Sequence, residues 1–149
     1  MDTKEKLELA LKEAMKAGDD VRKRTVRMVM AAIRQVEIDQ QVKLDEAAVL
    51  SIIQKEIKTR KDDVEEARRA TRPDIVAATE AEITVLQNYL PQALSADELN
   101  ALVQAAITEA GATSQTDMGK VMKLLMPRVG ARAPGDQVSA AVRQFLQKQ

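Results

Sequence analysis

Five basic residues near the carboxyl end carry the side chains whose type and spacing point to binding chemistry. They are Lys120, Lys123, Arg128, Arg132 and Arg143. Residues 120–149 hold six basic side chains and one acidic one, whereas residues 73–119 hold no basic side chain and seven acidic ones. Ammonium and guanidinium groups donate strong hydrogen bonds to phosphate oxygens. We therefore expect a polyanion such as RNA to bind the last thirty residues.

The composition argues against most catalytic chemistry. The chain has 149 residues, no cysteine and no histidine, which removes thiol nucleophiles, thiolate zinc sites and the usual general base. None of its four serines lies in a Gly-x-Ser-x-Gly elbow, and no glycine-rich phosphate loop follows a strand. We expect no catalytic residue, no metal, no cofactor and no independent enzymatic activity.

The elements that must position the five cations are helices. Apolar residues recur every three or four positions along the chain, which predicts an all-α protein of seven helices. The expected helix starts are Asp2 or Thr3, Asp19 or Asp20, Asp45, Pro73, Ser95, Ser114 or Thr116, and Asp136. Gly18 and Gly111 are expected to end the first and fifth helices.

The segment YLPQAL, residues 89–94, separates four longer helices from three shorter ones. It predicts a four-helix bundle at residues 1–94, followed by a smaller three-helix bundle at residues 95–149. No apolar run is long enough to span a bilayer, and the first residues lack the order of a signal peptide. We therefore expect a cytoplasmic protein without a membrane partner.

Backbone breakers cluster around the cations. Pro127 is expected to kink the sixth helix or to end it near Met126. On a helical wheel Lys120 and Lys123 lie opposite the apolar stripe of that helix. We expect no carboxylate near the four cations from residue 120 to residue 132, apart from Asp136.

Gly119 stands inside the expected sixth helix, where glycine costs about 1 kcal/mol relative to alanine. Close packing of another group against Gly119 would offset that loss. We expect a neighbouring helix to pack there, and an RNA backbone lying against the helix is the alternative.

Two other charged runs are assigned no site. The basic residues of RKRTVRMVMAAIR, residues 22–34, surround most of one helix and have acidic neighbours such as Glu13. The run KEIKTRKDDVEEARRA, residues 55–70, alternates in sign at helical spacing, which is typical of a solvated helix surface with weak ion pairs.

Two stretches resemble the YqeY-like family. They are residues 53–99, with the seam YLP, and residues 117–146, with the block DMGKVM followed by MP. The likeness extends over essentially the whole chain. The family's domain is similar to the C-terminal tail of the B subunit of the tRNA-dependent Asp/Glu amidotransferase, a carbon–nitrogen ligase that uses glutamine as amido donor.

The resemblance implies a four-helix bundle followed by a three-helix one. It also implies a non-catalytic accessory role in translation, because the amidotransferase tail helps to hold tRNA while other domains perform the chemistry. The implied partners are tRNA and an aminoacyl-tRNA synthetase or amidotransferase. The alternative is an interaction adaptor that docks on a translation enzyme without touching RNA, with Met118, Met122 and Met126 as an adaptable surface. The sequence does not define the oligomeric state.

Overall fold

The computed structural model describes residues 1–147, which form seven α-helices, two 3-10 turns and no strand. The helices are α1 (Thr3–Ala17), α2 (Asp20–Gln40), α3 (Glu46–Arg69), α4 (Pro73–Gln87), α5 (Ala96–Ala110), α6 (Met118–Val129) and α7 (Gly135–Gln147). The 3-10 turns are Gln115–Asp117 and Gly130–Arg132. The all-α prediction is confirmed, and the arrangement of the helices as a four-helix and a three-helix bundle stays a prediction.

Short polar side chains start four of the helices. Asp2, Asp19 and Asp45 each accept a hydrogen bond from the backbone N–H three residues further on, at 2.9, 3.1 and 2.8 Å. Ser95 accepts from the N–H of Glu98, whose side chain accepts from the N–H of Ser95. These bonds satisfy donors that a helix leaves open at its first turn, and they confirm the predicted starts.

Residues with left-handed backbone angles end four helices. Gly18 and Gly111 have φ values of 68° and 65°, which confirms the predicted ends of α1 and α5. Gln41 and Thr71, after α2 and α3, both have φ of 55° although neither is glycine. At all four positions the N–H of the next residue donates to the carbonyl five residues back.

The helices divide between two compact units, Met1–Leu90 with α1 to α4 and Pro91–Gln149 with α5 to α7. The predicted bounds, 1–94 and 95–149, stay a prediction. Leu94 is buried with the core of the second unit, where its N–H donates to the carbonyl of Arg132 at 2.9 Å.

In the first unit α3 packs on α4 and α1 on α2, while α2 also contacts α3 and α4. Their apolar stripes meet in one core, whose fully buried members include Leu7, Val26, Ile53 and Leu86. The N–H of Thr3 donates to the carboxylate of Glu46 at 3.0 Å, which ties the start of α1 to the start of α3.

In the second unit all three helices pack on one another around a second core. α6 begins at Met118, after a 3-10 turn whose N-cap is Ser114. Pro127 lies inside α6, which continues to Val129, so of the two alternatives an end near Met126 is wrong and a kink stays a prediction. A proline in the last turn of a helix removes only one backbone hydrogen bond, and the buried Val129 adds apolar contact there.

α7 begins at Gly135, so Asp136 lies in its first turn rather than before it. The N–H of Val138 donates to the carbonyl of Pro134 at 3.1 Å. None of the helices within residues 1–147 has the length and apolar character needed to cross a bilayer.

Candidate nucleic-acid interface

α6 presents two of the predicted cations on its outer face. Val121, Leu125 and Val129 are buried at 0%, 0% and 1% exposure, which fixes the inner face of the helix. Lys120 and Lys123 lie on the opposite side and are exposed. The wheel position predicted for these two lysines is therefore confirmed.

Arg143 brings a third exposed cation from α7. The side-chain amide of Gln115 donates to the carbonyl of Arg143 at 3.4 Å, so this part of α7 lies beside the turn that precedes α6. Within residues 1–147 no ion pair joins Lys120, Lys123 or Arg143 to another side chain. These three residues are called the open cations below.

One carboxylate influences Lys120 without forming an ion pair with it. Asp117 accepts a hydrogen bond from the N–H of Thr113 at 3.0 Å. That bond, and more weakly the charge of Lys120, holds the pKa of Asp117 below its ordinary value. The negative charge of Asp117 therefore partly compensates the positive charge of Lys120, whereas Lys123 lies one helical turn further from that carboxylate.

Arg128 and Arg132 are paired inside the second unit. Arg128 contacts the carboxylate of Glu109 on α5 at 2.5 Å, and Arg132 contacts that of Glu98 at 3.2 Å. Arg132 also donates from Nε to the carbonyl of Gln92 at 3.0 Å. The expectation that Asp136 is the only nearby carboxylate is wrong, because α5 contributes two glutamates that helical periodicity within one segment does not reveal.

Gly119 is exposed, and a Cβ built on it would meet no atom within 4 Å. The expectation that a neighbouring helix packs against this glycine is wrong. The inner stripe of α6 already makes the contacts with α5 and α7, and Gly119 faces away from that stripe.

The predicted adaptable methionines are not an open surface. Met118, Met122 and Met126 are all partly buried and pack against the core of the second unit. The terminal methyl group of Met126 lies 3.9 Å from the Cβ position of Gly135. Core filling, expected for Met118 and Met122, extends to Met126.

The first unit contains a buried ion network that was not predicted from the sequence. Arg60 is only 4% exposed. Its Nη1 contacts the carboxylate of Glu56 at 2.7 Å, and its Nε contacts that of Glu82 at 3.3 Å. Glu82 also accepts from Nε of Arg24 at 3.3 Å, so α2, α3 and α4 share one network.

A signal for Arg60 was present in the sequence. Ile53, Ile57, Val64 and Ala67 form the buried stripe of α3, and Arg60 falls on that stripe at helical spacing. The prediction that the whole run from residue 55 to residue 70 is solvated is therefore wrong at this position. For the basic run at residues 22–34, the expected acidic neighbour is confirmed, because Glu13 pairs with Arg22 at 3.2 Å.

Comparison with known proteins gives the family. The family model described as "Yqey-like protein" matches residues 4–146. The chain therefore belongs to the YqeY-like family, as the resemblance predicted.

Several curated relatives carry the name "Altered inheritance of mitochondria protein 41, mitochondrial". The protein from Lachancea thermotolerans is 36% identical over 99% of this chain and 83% of its own length. The one from Kluyveromyces lactis is 40% identical over 66% of this chain and 55% of its own length. The one from Pyrenophora tritici-repentis is 30% identical over 95% of this chain and 79% of its own length.

These names correct one prediction. The relatives are named as mitochondrial proteins, so the expectation of a cytoplasmic protein is wrong. That expectation was based on composition and on the first residues of the chain, neither of which distinguishes the cytoplasm from an organelle interior.

Proposed function

We propose that this protein is a non-catalytic accessory factor that binds structured RNA of the tRNA class through the open cations, Lys120, Lys123 and Arg143. The single observation that supports the proposal most is the outer face of α6, where Lys120 and Lys123 are exposed together with Gly119, whose missing side chain leaves open space. Arg143 adds a third exposed cation from α7, and none of the three forms an ion pair in residues 1–147.

The chemistry of the open cations suits a phosphate backbone. Ammonium and guanidinium groups neutralise phosphates without reading bases, and A-form RNA is recognised mainly by its shape and phosphate positions. Gly119 would allow that backbone to approach α6 without meeting a Cβ. Arg128 and Arg132 play a secondary part, because their carboxylate partners already compensate them.

Single-stranded RNA fits less well. Proteins that hold single strands stack the bases on exposed aromatic rings. The chain has two aromatic residues, Tyr89 and Phe145, and both are partly buried against a core. The proposal therefore names folded RNA as the ligand.

A salt titration with paired variants tests the proposal. Binding of the full chain to folded tRNA is measured between 50 and 200 mM salt, which should give a slope of log affinity against log salt of about −2 to −3 for three phosphate contacts. The variant with Lys120→Gln, Lys123→Gln and Arg143→Gln should lose most of that slope. The control variant Lys6→Gln, Lys12→Gln and Lys16→Gln removes the same charge from exposed positions of α1 and should keep it.

Equal losses in the two triple variants would contradict the proposal, because binding would then follow net charge alone. Since the relatives are named as mitochondrial, tRNA pools from both cytoplasm and mitochondria are titrated. Capture of partners with and without ribonuclease distinguishes RNA binding from the adaptor alternative, in which the chain docks on a protein. A partner that survives digestion and still depends on the open cations would replace RNA with a protein ligand.

A further inference from the structure

The guanidinium group of Arg60 has one nitrogen with a weak partner. The side chain of Arg60 is 5% exposed. Its Nε donates to Glu82, and its Nη1 donates to the carboxylate of Glu56 at 2.7 Å and to the carbonyl of Glu56 at 3.2 Å. The contact of Nη2 is the sulfur of Met28, at 3.7 Å. A buried donor is thus matched with a thioether, which is a weak acceptor.

Met28 combines that contact with access to solvent. It lies on α2, one turn after Arg24, and is 49% exposed. An exposed thioether can react with small oxidants, whereas Arg60 behind it is shielded from water. Conversion of the sulfur to a sulfoxide would place a strong oxygen acceptor next to a donor that has no good one.

We propose that Met28 is a site of reversible oxidation whose sulfoxide oxygen is held by the buried guanidinium of Arg60. The oxidant is a peroxide. With hydrogen peroxide, a sulfur lone pair attacks one oxygen, the O–O bond breaks as the S–O bond forms, and the second oxygen leaves with both protons as water. The sulfur loses two electrons and the peroxide gains them, and reduction by a thiol-dependent methionine sulfoxide reductase reverses the step.

The oxidised protein should be more stable than the reduced one, which is the reverse of the usual effect of oxidation on packed methionines. A new hydrogen bond from a buried donor adds net stability because the donor gains a strong acceptor. We expect the ratio of folded to unfolded molecules to rise about fivefold when Met28 is oxidised.

Met15 supplies an internal control. Its sulfur lies 3.9 Å from Nη2 of Arg27 and its side chain is 54% exposed, so its contact and accessibility resemble those of Met28. Arg27, however, is exposed and already donates to water. For Arg27, the sulfoxide oxygen of an oxidised Met15 would only replace water as an acceptor. Oxidation of Met15 should therefore leave the ratio of folded to unfolded molecules almost unchanged.

The experiment uses two full-length variants, Met15→Leu and Met28→Leu. Each is treated with hydrogen peroxide at a dose that peptide mass spectrometry shows to modify only exposed methionines, and urea unfolding is measured before and after. The Met15→Leu protein, which keeps Met28, should gain about fivefold in the folded ratio and lose the gain after treatment with the reductase. The Met28→Leu protein should show no gain.

Glutamine substitutions test the same donor without an oxidant, because the side-chain carbonyl of glutamine is a strong acceptor of similar reach. Met28→Gln should be more stable than Met28→Leu, while Met15→Gln and Met15→Leu should match. Three results would overturn the proposal: Met28 resisting a dose that oxidises Met15, oxidation of Met28 lowering the folded ratio, or equal stability of the two residue 28 variants.

Discussion

Arg60 in the first unit and Lys123 in the second are both basic residues on helices, yet their surroundings are opposite. Arg60 is 4% exposed and contacts two carboxylates. Lys123 is exposed and has no ion pair within residues 1–147. Arg60 holds helices of the first unit together, whereas the charge of Lys123 in the second unit remains exposed to solvent.

Two positions of the first unit lack a glycine that their backbone angles favour, and one position of the second unit has a glycine that its helical angles do not require. In the first unit Gln41 and Thr71 take left-handed angles that favour glycine. In the second unit Gly119 occupies a helical position where alanine would fit without any close contact. Gly119, which the fold does not require, and the unpaired lysines on the same helix are the features on which the proposal of RNA binding rests.

The largest expected effect is on the buried network. Arg60→Ala leaves the carboxylates of Glu56 and Glu82 without their shared cation, and we expect it to lower the free energy of unfolding by about 3 kcal/mol. Urea unfolding measures it. Arg24→Ala is the control, because Arg24 contacts the same Glu82 but is 52% exposed, and its loss should stay below about 1 kcal/mol. Equal losses in Arg60→Ala and Arg24→Ala would show that the burial of Arg60 adds nothing to its contribution to stability.

The next effect is a gain in the first unit. Thr71→Gly removes a β-branched side chain from a left-handed position, where non-glycine residues are strained by about 1–2 kcal/mol. Glycine also makes the unfolded chain more flexible, which offsets part of the gain. We expect a net increase of about 0.5–1 kcal/mol in the free energy of unfolding.

Gln41→Gly is the matched variant for Thr71→Gly, because Gln41 has the same φ of 55° without a branched Cβ. Its gain should be smaller than that of Thr71→Gly, because both variants relieve the left-handed backbone angle but only Thr71 also loses a β-branched side chain. A loss of stability in Thr71→Gly would mean that the threonine side chain makes a contact more valuable than the strain it causes.

In the second unit Gly119→Ala should raise the free energy of unfolding, because alanine is the better helix former and meets no atom within 4 Å. The gain should be about 0.5 kcal/mol, less than in a helix interior, because Gly119 is the second residue of α6. The same change should weaken tRNA binding, since the new methyl group stands where a phosphate backbone would approach. Thermal unfolding and tRNA titration of one preparation measure both. Higher stability with unchanged RNA affinity would place the RNA elsewhere.

Whether a contact could be predicted from the sequence depended on how many residues separate its two partners in the chain. Caps act over three residues, so the starts at Asp45 and Ser95 could be predicted from the sequence. The pairing of Arg128 with Glu109 joins residues 19 apart on different helices, and periodicity within α6 carries no information about α5. Glu82 meets Arg60 in the same way, through the packing of α3 on α4.

Gly119 illustrates a different limit. The sequence showed that a glycine inside a helix needs a reason, and packing against another helix is the common one. Which reason applies depends on the side of the helix that faces the core. The buried positions Val121 and Leu125 place Gly119 on the outside of α6, where no neighbouring helix packs against it.

The smallest effect concerns Glu98. The hydroxyl and the N–H of Ser95, and then Arg132, hold the pKa of the Glu98 carboxyl below its ordinary value of 4.5. Because the folded pKa is the lower one, the ionised carboxylate stabilises the protein above about pH 4.5, and that contribution disappears as the pH falls through the folded pKa. Glu98→Gln should therefore make the loss of stability below pH 4.5 less steep, as measured by urea unfolding from pH 6 to pH 2.5.

Arg132→Gln separates the two sources of that shift. Ser95 contributes more than Arg132 to lowering the pKa of Glu98, so this variant should keep most of the acid dependence of the parent protein. If instead it matches Glu98→Gln, the ion pair rather than the cap holds the carboxylate. Arg132 would then stabilise the second unit as Arg60 stabilises the first, and it would no longer belong even to the secondary contacts proposed for RNA.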